Sequence, residues 1–341
     1  AVPGTFTYNL VSVQDASATT CSQTQTGSAT VTVSPSPTAN ISGTNTVCLN
    51  ASSPNITFTG TAGTAPFTFT YTINGGPNQT VTSVGNTATV AVPTSTAGTF
   101  VYALVSVQDA SANLCSQTQT GNVTITVNPL PAAIIAGAIT VCKDAPAPNV
   151  TFTGSGGAAP YTFTYTINGG ANQTVVSSGN TATVSVPTAT VGSYTYALVN
   201  VQEGSALACS RSETGSVTVT VNPAPTASIT GAVTVCEDDP APNVTFTGGG
   251  TTAPYTFTYT INGGPNQTVT SVGNTATVSV PTTTPGTYTY ALVSVQDGSP
   301  TTCSAVQSGS VVIQVDADHT MTLSSATSTT SQTVCSGKLI T

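Results

Sequence analysis

The sequence predicts an all-β fold, a tandem array of β-sandwich domains joined end to end as a rod. Three observations predict this class. Apolar and hydroxyl side chains alternate along short segments, the same segments return at an interval of 94 residues, and proline-rich junctions separate the copies. Side chains on a strand point alternately to opposite faces, so each segment has one face to bury and one to expose.

The most regular segment is an aromatic strand at residues 254–264, which reads P-Y-T-F-T-Y-T-I-N-G-G. It recurs at 160–170 and, with Phe in place of the first Tyr, at 66–76. Its aromatic and aliphatic residues occupy alternate positions, with threonines between them. Asn262 and Gly263 then favour the positive φ angles of a tight hairpin turn. A second sheet must cover the aromatic face, so each copy implies its own sandwich.

The repeat interval is clearest in the cysteines, since Cys48, Cys142 and Cys236 are 94 residues apart. This interval corresponds to one immunoglobulin-like domain per repeat. We expect full repeats at 36–129, 130–223 and 224–316. The C-terminal part of a truncated repeat is expected at 1–35 and the start of a divergent repeat at 317–341, as in an excerpt from a longer array.

The third full copy gives the order of the elements. The first strand covers 228–236, and a loop with two prolines leads to a strand at 243–247, because proline cannot donate to a β-ladder. The aromatic strand follows, then strands at 267–272 and 274–280. The longest run, 287–296, changes its apolar phase near Leu292, which indicates either a bulge or burial on both faces. Residues 309–315 close the domain. Seven strands are typical of the sandwich, and no helix is expected.

Alternating prolines mark each junction, as S-P-S-P at 34–37, N-P-L-P at 128–131 and N-P-A-P at 222–225. Proline fixes φ and favours an extended, semi-rigid connection. Short stiff connections between sandwiches predict a rod.

Charge is scarce, at 4% of residues, and the net charge is -8 with three basic residues. Binding to nucleic acid requires the neutralisation of phosphates, so this composition argues against it. The longest apolar runs are far shorter than the 18 or so residues that span a bilayer, so no membrane insertion is expected in this segment.

Each full repeat carries two cysteines, 67 residues apart, and an even number at fixed spacing predicts disulfides in an oxidising compartment. We expect pairs within a repeat: Cys48–Cys115, Cys142–Cys209 and Cys236–Cys303. Cys21 and Cys335 would then have partners outside this sequence. The count leaves open an alternative in which pairs cross the junctions, as Cys21–Cys48, Cys115–Cys142 and Cys209–Cys236.

Other candidate sites have little support. A zinc site is not expected, because no C-x2-C motif occurs and His319 is the one histidine. Glu237, Asp238 and Asp239 could hold calcium near Asp297, but the same positions read L-N-A at 49–51 and K-D-A at 143–145, which favours a solvated loop. The carboxylate after the long strand recurs without a second one, which favours turn chemistry. We therefore expect no catalytic residue, no metal, no cofactor and no enzyme activity.

Three strings together carry a resemblance to a known family: V-C-E-D-D-P-A-P-N-V-T-F-T-G, P-Y-T-F-T-Y-T-I-N-G-G and G-T-Y-T-Y-A-L-V-S-V-Q-D. With them the repeats resemble the Ig-like/PKD-like repeats of giant Bacteroidota cell-surface proteins. This family includes the gliding-motility adhesin SprB and its relatives. The resemblance covers the three full repeats and the leading half-repeat, while the tail from Asp316 fits less well. It implies type IX secretion, an extracellular location at the bacterial cell surface, display as a filament, and a role in adhesion or gliding motility. It transfers no catalytic residue.

Two functions follow as hypotheses. The first is a structural stalk or filament segment of a surface adhesin, in which neighbouring repeats are the main partners. The second is a module that binds carbohydrate, such as an extracellular polysaccharide, or another surface. The loops are nearly identical between copies, which fits a spacer better than a diversified binding surface.

Overall fold

The computed structural model describes residues 2–325 and 328–334, and these residues form β-strands and turns with no helix. The all-β prediction is confirmed. Three full repeats have the same nine-strand pattern, preceded by a leading segment of four strands and followed by one hairpin. The strands of the leading segment are β1 (Gly4–Asn9), β2 (Ser12–Gln14), β3 (Ser22–Thr24) and β4 (Ser28–Val33).

Repeat 1 contains β5 (Thr38–Ser42), β6 (Asn45–Cys48), β7 (Asn55–Thr61), β8 (Thr68–Ile73), β9 (Gln79–Thr82), β10 (Thr87–Ala91), β11 (Gly98–Gln108), β12 (Ser116–Thr118) and β13 (Asn122–Asn128). Repeat 2 contains β14 (Ala132–Ala136), β15 (Ile139–Cys142), β16 (Asn149–Ser155), β17 (Thr162–Ile167), β18 (Gln173–Val176), β19 (Thr181–Ser185), β20 (Gly192–Gln202), β21 (Ser210–Ser212) and β22 (Ser216–Asn222).

Repeat 3 contains β23 (Thr226–Thr230), β24 (Val233–Cys236), β25 (Asn243–Gly249), β26 (Thr256–Ile261), β27 (Gln267–Thr270), β28 (Thr275–Ser279), β29 (Gly286–Gln296), β30 (Ser304–Val306) and β31 (Ser310–Asp316). The final hairpin pairs β32 (His319–Ser325) with β33 (Ser328–Val334).

Each repeat is a sandwich of a three-stranded and a six-stranded sheet. In repeat 1 the smaller sheet has the order β10-β7-β5, and the larger has the order β6-β13-β11-β8-β9 with β12 beside β11. The pairs are antiparallel except for one, because β6 runs parallel to β13. The seven predicted strands become nine, since the first strand divides in two and a short strand precedes the last.

Aromatic rings from both sheets fill the space between them. In repeat 3, Phe246 of the small sheet stacks on Phe257 of the large sheet at 5.6 Å between ring centres, and Tyr259 stacks on Tyr290 at 6.0 Å. The three core clusters each draw their residues from a single repeat. The prediction that every repeat buries its own aromatic face is therefore confirmed. Removing such rings from water is the main source of stability for a sandwich of this size.

The first strand divides at a glycine. In repeat 3, β23 pairs with β25 in the small sheet, whereas β24 pairs with β31 in the large one. Gly231 lies between them with φ at +123°, and a Cβ there would approach the Asn243 carbonyl oxygen to 2.5 Å. The continuous strand predicted at 228–236 is therefore wrong, because the chain changes sheets at this glycine.

Two local predictions are confirmed. Asn262 and Gly263 have φ of 52° and 70°, and the N–H of Gly264 donates to the Ile261 carbonyl at 2.9 Å, which closes the tight turn. The last pair between β26 and β27 is Tyr259 with Gln267, so this turn lies inside a longer hairpin loop. The register between β26 and β29 shifts by one residue next to Leu292, which is the bulge expected from the phase change.

The strands of each repeat run between its two ends, which we call the N-terminal pole and the C-terminal pole. The first strand runs from the N-terminal pole to the C-terminal pole, and β13 runs parallel to β6, so Cys48 and Asn128 lie side by side at the C-terminal pole. The long strand β11 runs the opposite way and delivers the chain to a loop at the N-terminal pole. This loop contains Cys115. The two cysteines of one repeat therefore lie at opposite poles.

Candidate functional site: the disulfide-bridged junctions between repeats

Disulfides join consecutive repeats. We call the cysteine that ends the first strand the first cysteine of a repeat and the one in the N-terminal-pole loop its second cysteine. Cys48 of repeat 1 bonds to Cys209 of repeat 2, and Cys142 of repeat 2 bonds to Cys303 of repeat 3, with Cα–Cα distances of 5.7 and 5.5 Å. Each bridge spans 161 residues of sequence. The rule is therefore first cysteine to the second cysteine of the following repeat.

The predicted disulfides are corrected by these bonds. The pairs within a repeat, Cys48–Cys115, Cys142–Cys209 and Cys236–Cys303, are wrong, and so is the alternative that paired Cys21–Cys48, Cys115–Cys142 and Cys209–Cys236. Cys236 is disulfide-bonded as well. Cys335 lies outside the described residues, and Cys21 and Cys115 carry free thiols.

The length of the long strand is the physical reason for the correction. In repeat 1, Gly98 at the start of β11 pairs with Val127, next to Cys48, while the other end of β11 leads to Cys115. Eleven residues at a rise of about 3.3 Å each span roughly 35 Å. A disulfide needs its Cα atoms within about 7 Å. Within the described residues, the N-terminal pole of the next repeat comes that close to Cys48 and Cys142.

The second cysteine is held by a carboxylate at the end of the long strand. In repeat 3, the N–H of Cys303 donates to Asp297 Oδ1 at 2.9 Å, and the N–H of Asp297 donates back to the Cys303 carbonyl at 2.9 Å. Ser299 Oγ donates to the same carboxylate oxygen at 2.8 Å. Thr302, just before the cysteine, has φ at 50°, a strained conformation for a β-branched residue. This loop fixes the direction in which the sulfur points.

The same loop recurs in repeat 1 and in the leading segment. Burial by itself raises the pKa of Asp109, but hydrogen bonds from Ser111, Thr64 and the Cys115 N–H outweigh it, so the pKa lies below its ordinary value. In the leading segment, hydrogen bonds from Ser17 lower the pKa of Asp15. The recurring carboxylate thus has the turn role that the sequence favoured, because its hydrogen bonds close the loop.

The first cysteine lies at the end of a parallel ladder. Cys48 is the last residue of β6, and the N–H of the next residue, Leu49, donates to the Asn128 carbonyl at 2.8 Å. Between repeats 2 and 3, Asn222 Nδ2 donates to Thr301 Oγ1 at 2.9 Å beside the Cys142–Cys303 bridge. The repeat pattern does not predict this polar contact. Its signal was weak, since Leu207 replaces Thr301 in repeat 2.

The bridges close large, interleaved loops. The loop between Cys48 and Cys209 contains Cys142, and the loop between Cys142 and Cys303 contains Cys209. In the chain-entropy model, closing a loop of 161 residues restricts the unfolded chain by about 5 kcal/mol. The described junctions are therefore built for covalent connection, in keeping with an oxidising, non-cytoplasmic compartment.

The acidic residues considered as a calcium site do not lie close together in the structure. Asp238 donates its N–H to the Thr282 carbonyl at the C-terminal pole of repeat 3, whereas Asp297 lies at the N-terminal pole, so they cannot share a calcium ion. Asp239 instead accepts from the Cys236 N–H at 3.0 Å. The described part of the chain holds no cluster of three potential metal ligands. Nor does it contain a helix with the length and hydropathy needed to cross a membrane.

Comparisons with known proteins give a likeness of fold. No family model and no curated protein matches the chain. Among solved structures, the three-domain I-band fragment I67–I69 of titin is 15% identical, with a TM-score of 0.46, and the match covers 84% of this chain and 99% of that fragment. The fibronectin(III)-like modules of Clostridium thermocellum CbhA are 13% identical, with a TM-score of 0.28 and coverage of 54% and 95%. The mixed-linkage glucan protein SGBP-B of Bacteroides ovatus is 17% identical, with a TM-score of 0.18 and coverage of 82% and 67%. The chain is a tandem array of Ig-like β-sandwich domains, an assignment that rests on its own strand order.

Proposed function

We propose that this chain is a stalk or filament segment of a secreted bacterial cell-surface adhesin, which holds a binding tip or a track-engaging surface away from the cell. The observation that carries the proposal is the bridging of each repeat to the next by Cys48–Cys209 and Cys142–Cys303. Disulfides between repeats connect the domains and resist mechanical load. They do not form a reaction centre. The adhesin setting and export by type IX secretion come from the resemblance of the repeat strings.

The path of tension through a repeat supports the proposal. Tension enters repeat 1 at the start of β5, at the N-terminal pole, and leaves at the end of β13, at the opposite pole. Because β6 and β13 are parallel, these forces pull the two strands in opposite directions along their lengths. The ladder hydrogen bonds are then loaded together in shear rather than opened one at a time.

The bridges add a second route for tension. Cys48 ends β6, so its bond to Cys209 passes load from that strand directly to the N-terminal pole of repeat 2. This route runs beside the proline junction at 128–131. A junction held at two points resists both bending and separation more than one held by the chain alone.

The alternative function is binding of carbohydrate or another surface, and the three described repeats present no aromatic platform for it. Eight of the eleven tyrosines are buried in the three repeats, and Tyr194 and Tyr288 are half-buried. Tyr8 of the leading segment is 63% exposed, but it occupies the position of the buried Tyr102 of repeat 1. The repeats thus bury most of their tyrosine rings in the cores, where the rings cannot contact a ligand.

Electron microscopy of single molecules tests the stalk role through the angle between consecutive repeats. The oxidised chain is compared with a variant carrying Cys48→Ser and Cys142→Ser. We expect a narrow distribution of angles at both junctions in the oxidised chain and a wider one in the variant. Equal distributions would show that the bridges do not stiffen the array and would contradict the proposed function.

A further inference from the structure

The loop that carries the second cysteine of repeat 1 has the same form as the bridged loops of repeats 2 and 3. Its cysteine, Cys115, forms no disulfide. Cys115 closes a loop with Asp109, whose N–H donates to the Cys115 carbonyl at 2.9 Å, as Asp297 does with Cys303. The bridged cysteines Cys209 and Cys303 are 1% and 0% exposed, whereas Cys115 is a half-buried free thiol. The N-terminal pole of repeat 1 therefore presents the same sulfur in the same loop without a partner bond.

The neighbouring strand β4 lacks a partner on one side. It pairs with β1, and within the described residues no strand lies along its other edge. The corresponding strands of repeats 1 and 2, β13 and β22, each carry a parallel strand on that edge, β6 and β15. Those strands end in Cys48 and Cys142, the two cysteines that bridge to the following repeat.

The unpaired edge of β4 and the free thiol of Cys115 occupy the positions that, in the later repeats, belong to one disulfide-bridged junction. By the interval of 94 residues, Val31–Ser34 corresponds to Ile125–Asn128, the part of β13 that pairs with β6. A strand on the free edge of β4 in the same register would place its last residue opposite Ser34, two residues before repeat 1 begins at Ser36. This is the place from which Cys48 reaches Cys209.

We propose that the free edge of β4 and Cys115 together form a docking site for the first strand of another repeat of this class. The partner is a short strand that ends in Thr, Val, Cys, as in N-T-V-C, I-T-V-C and V-T-V-C of repeats 1, 2 and 3. The strand pairs in parallel with β4, and its cysteine bonds to Cys115. This inference adds a partner to the proposed stalk and rests on it for the continuation of the array.

The covalent step requires an oxidant. The two thiols lose two protons and two electrons as the sulfur–sulfur bond forms, and one oxidised glutathione accepts them to become two reduced glutathione molecules. Cys21 serves as an internal control thiol. It is also free, but it is exposed, and no described strand precedes its loop to supply an open edge.

The test completes the leading segment. A copy of residues 36–94, the part of the sequence that carries β5–β10 in repeat 1, is joined before Ala1 of the full chain, and the protein is folded with oxidised and reduced glutathione. Free thiols are labelled and disulfide-linked peptides are mapped by mass spectrometry. We expect the cysteine of the added segment to bond to Cys115, so that labelling of Cys115 is lost while Cys21 is still labelled.

Two variants keep the result decisive. Serine in place of the added cysteine should restore labelling of Cys115. If the completed segment does not fold, a whole copy of residues 36–129 is inserted between Pro35 and Ser36, and the first cysteine of that copy should bond to Cys115. A bond from the added cysteine to Cys21, or labelling of Cys115 in both extended chains, would overturn the inference. In the same digests the Cys48–Cys209 and Cys142–Cys303 peptides report separately on the basis of the proposed function.

Discussion

Stretching single molecules distinguishes the observed bridges from bridges within a repeat. The pulled protein is the full chain with Cys236→Ala, which removes the further disulfide of that residue, and with handles at the two termini. The perturbation is Cys303→Ala, which breaks one described bridge and leaves Cys48–Cys209 intact. The measured quantity is the contour length of the fully extended chain before and after the substitution.

The interleaving of the loops sets the expected magnitude. Without bridges, the path from Cys48 to Cys303 covers about 255 residues, or roughly 870 Å at about 3.4 Å each. With both bridges the shortest covalent path passes from Cys48 to Cys209, back along the chain to Cys142, and on to Cys303, a total of about 67 residues or 230 Å. With one bridge it covers about 94 residues or 320 Å.

Breaking one bridge should therefore lengthen the molecule by only about 90 Å, and reducing both should lengthen it by roughly 640 Å. Cys48→Ala, the matched control, breaks the other bridge and should give the same small increment. Bridges within a repeat would instead release about 67 residues, or roughly 230 Å, for each one broken. An increment of that size, or none at all, would refute the pairing and the load path built on it.

Three further predictions concern single repeats, each measured by urea unfolding followed by tyrosine fluorescence. Gly248→Ala should destabilise repeat 3 by about 1–3 kcal/mol, because the added methyl clashes with the ring of Tyr255; an unchanged midpoint would mean that the ring can move aside. Phe257→Ala should cost about 3–5 kcal/mol, while Val272→Ala, at a position 92% exposed, should stay within about 0.5; similar losses for both would contradict the burial described. Asp109→Asn should flatten the acid sensitivity of repeat 1. The folded pKa of Asp109 is lowered, so its stabilisation is present above about pH 4 and lost as the pH falls through the folded value; parallel curves for variant and parent would argue against this role.

Most of the fold follows from local pattern. Alternation of apolar and hydroxyl residues is enough to predict β26, because a half-buried strand imposes a period of two. Asn262 and Gly263 predict their turn, since few other pairs tolerate two positive φ angles. The division of the first strand was harder to predict. Gly231 is required by the approach of a carbonyl from another strand, a contact that does not exist until both sheets are assembled.

The pairing of the cysteines depends on strand direction rather than on spacing. A separation of 67 residues suits a closed loop, but it also covers five traverses of the sandwich, and an odd number of traverses ends at the opposite pole. Counting those traverses in the seven predicted strands would have placed Cys48 at the C-terminal pole and Cys115 at the N-terminal pole. Strand direction was thus available in the sequence, whereas the Asn222–Thr301 contact was not, because it depends on how two repeats meet.

The position of the cysteines at opposite poles makes the bridging pattern extensible. A repeat whose two cysteines bonded to each other would be a closed unit, and its neighbours would be joined only by the proline junction. In this chain, repeat 2 gives Cys142 to the repeat that follows and Cys209 to the repeat that precedes. Whole repeats of 94 residues can be added without changing any bond already present, and loss of one cysteine opens a single junction while the others stay closed. The same arrangement requires that every repeat keep its parallel first strand, because that strand both closes the sandwich and carries the sulfur to the next repeat.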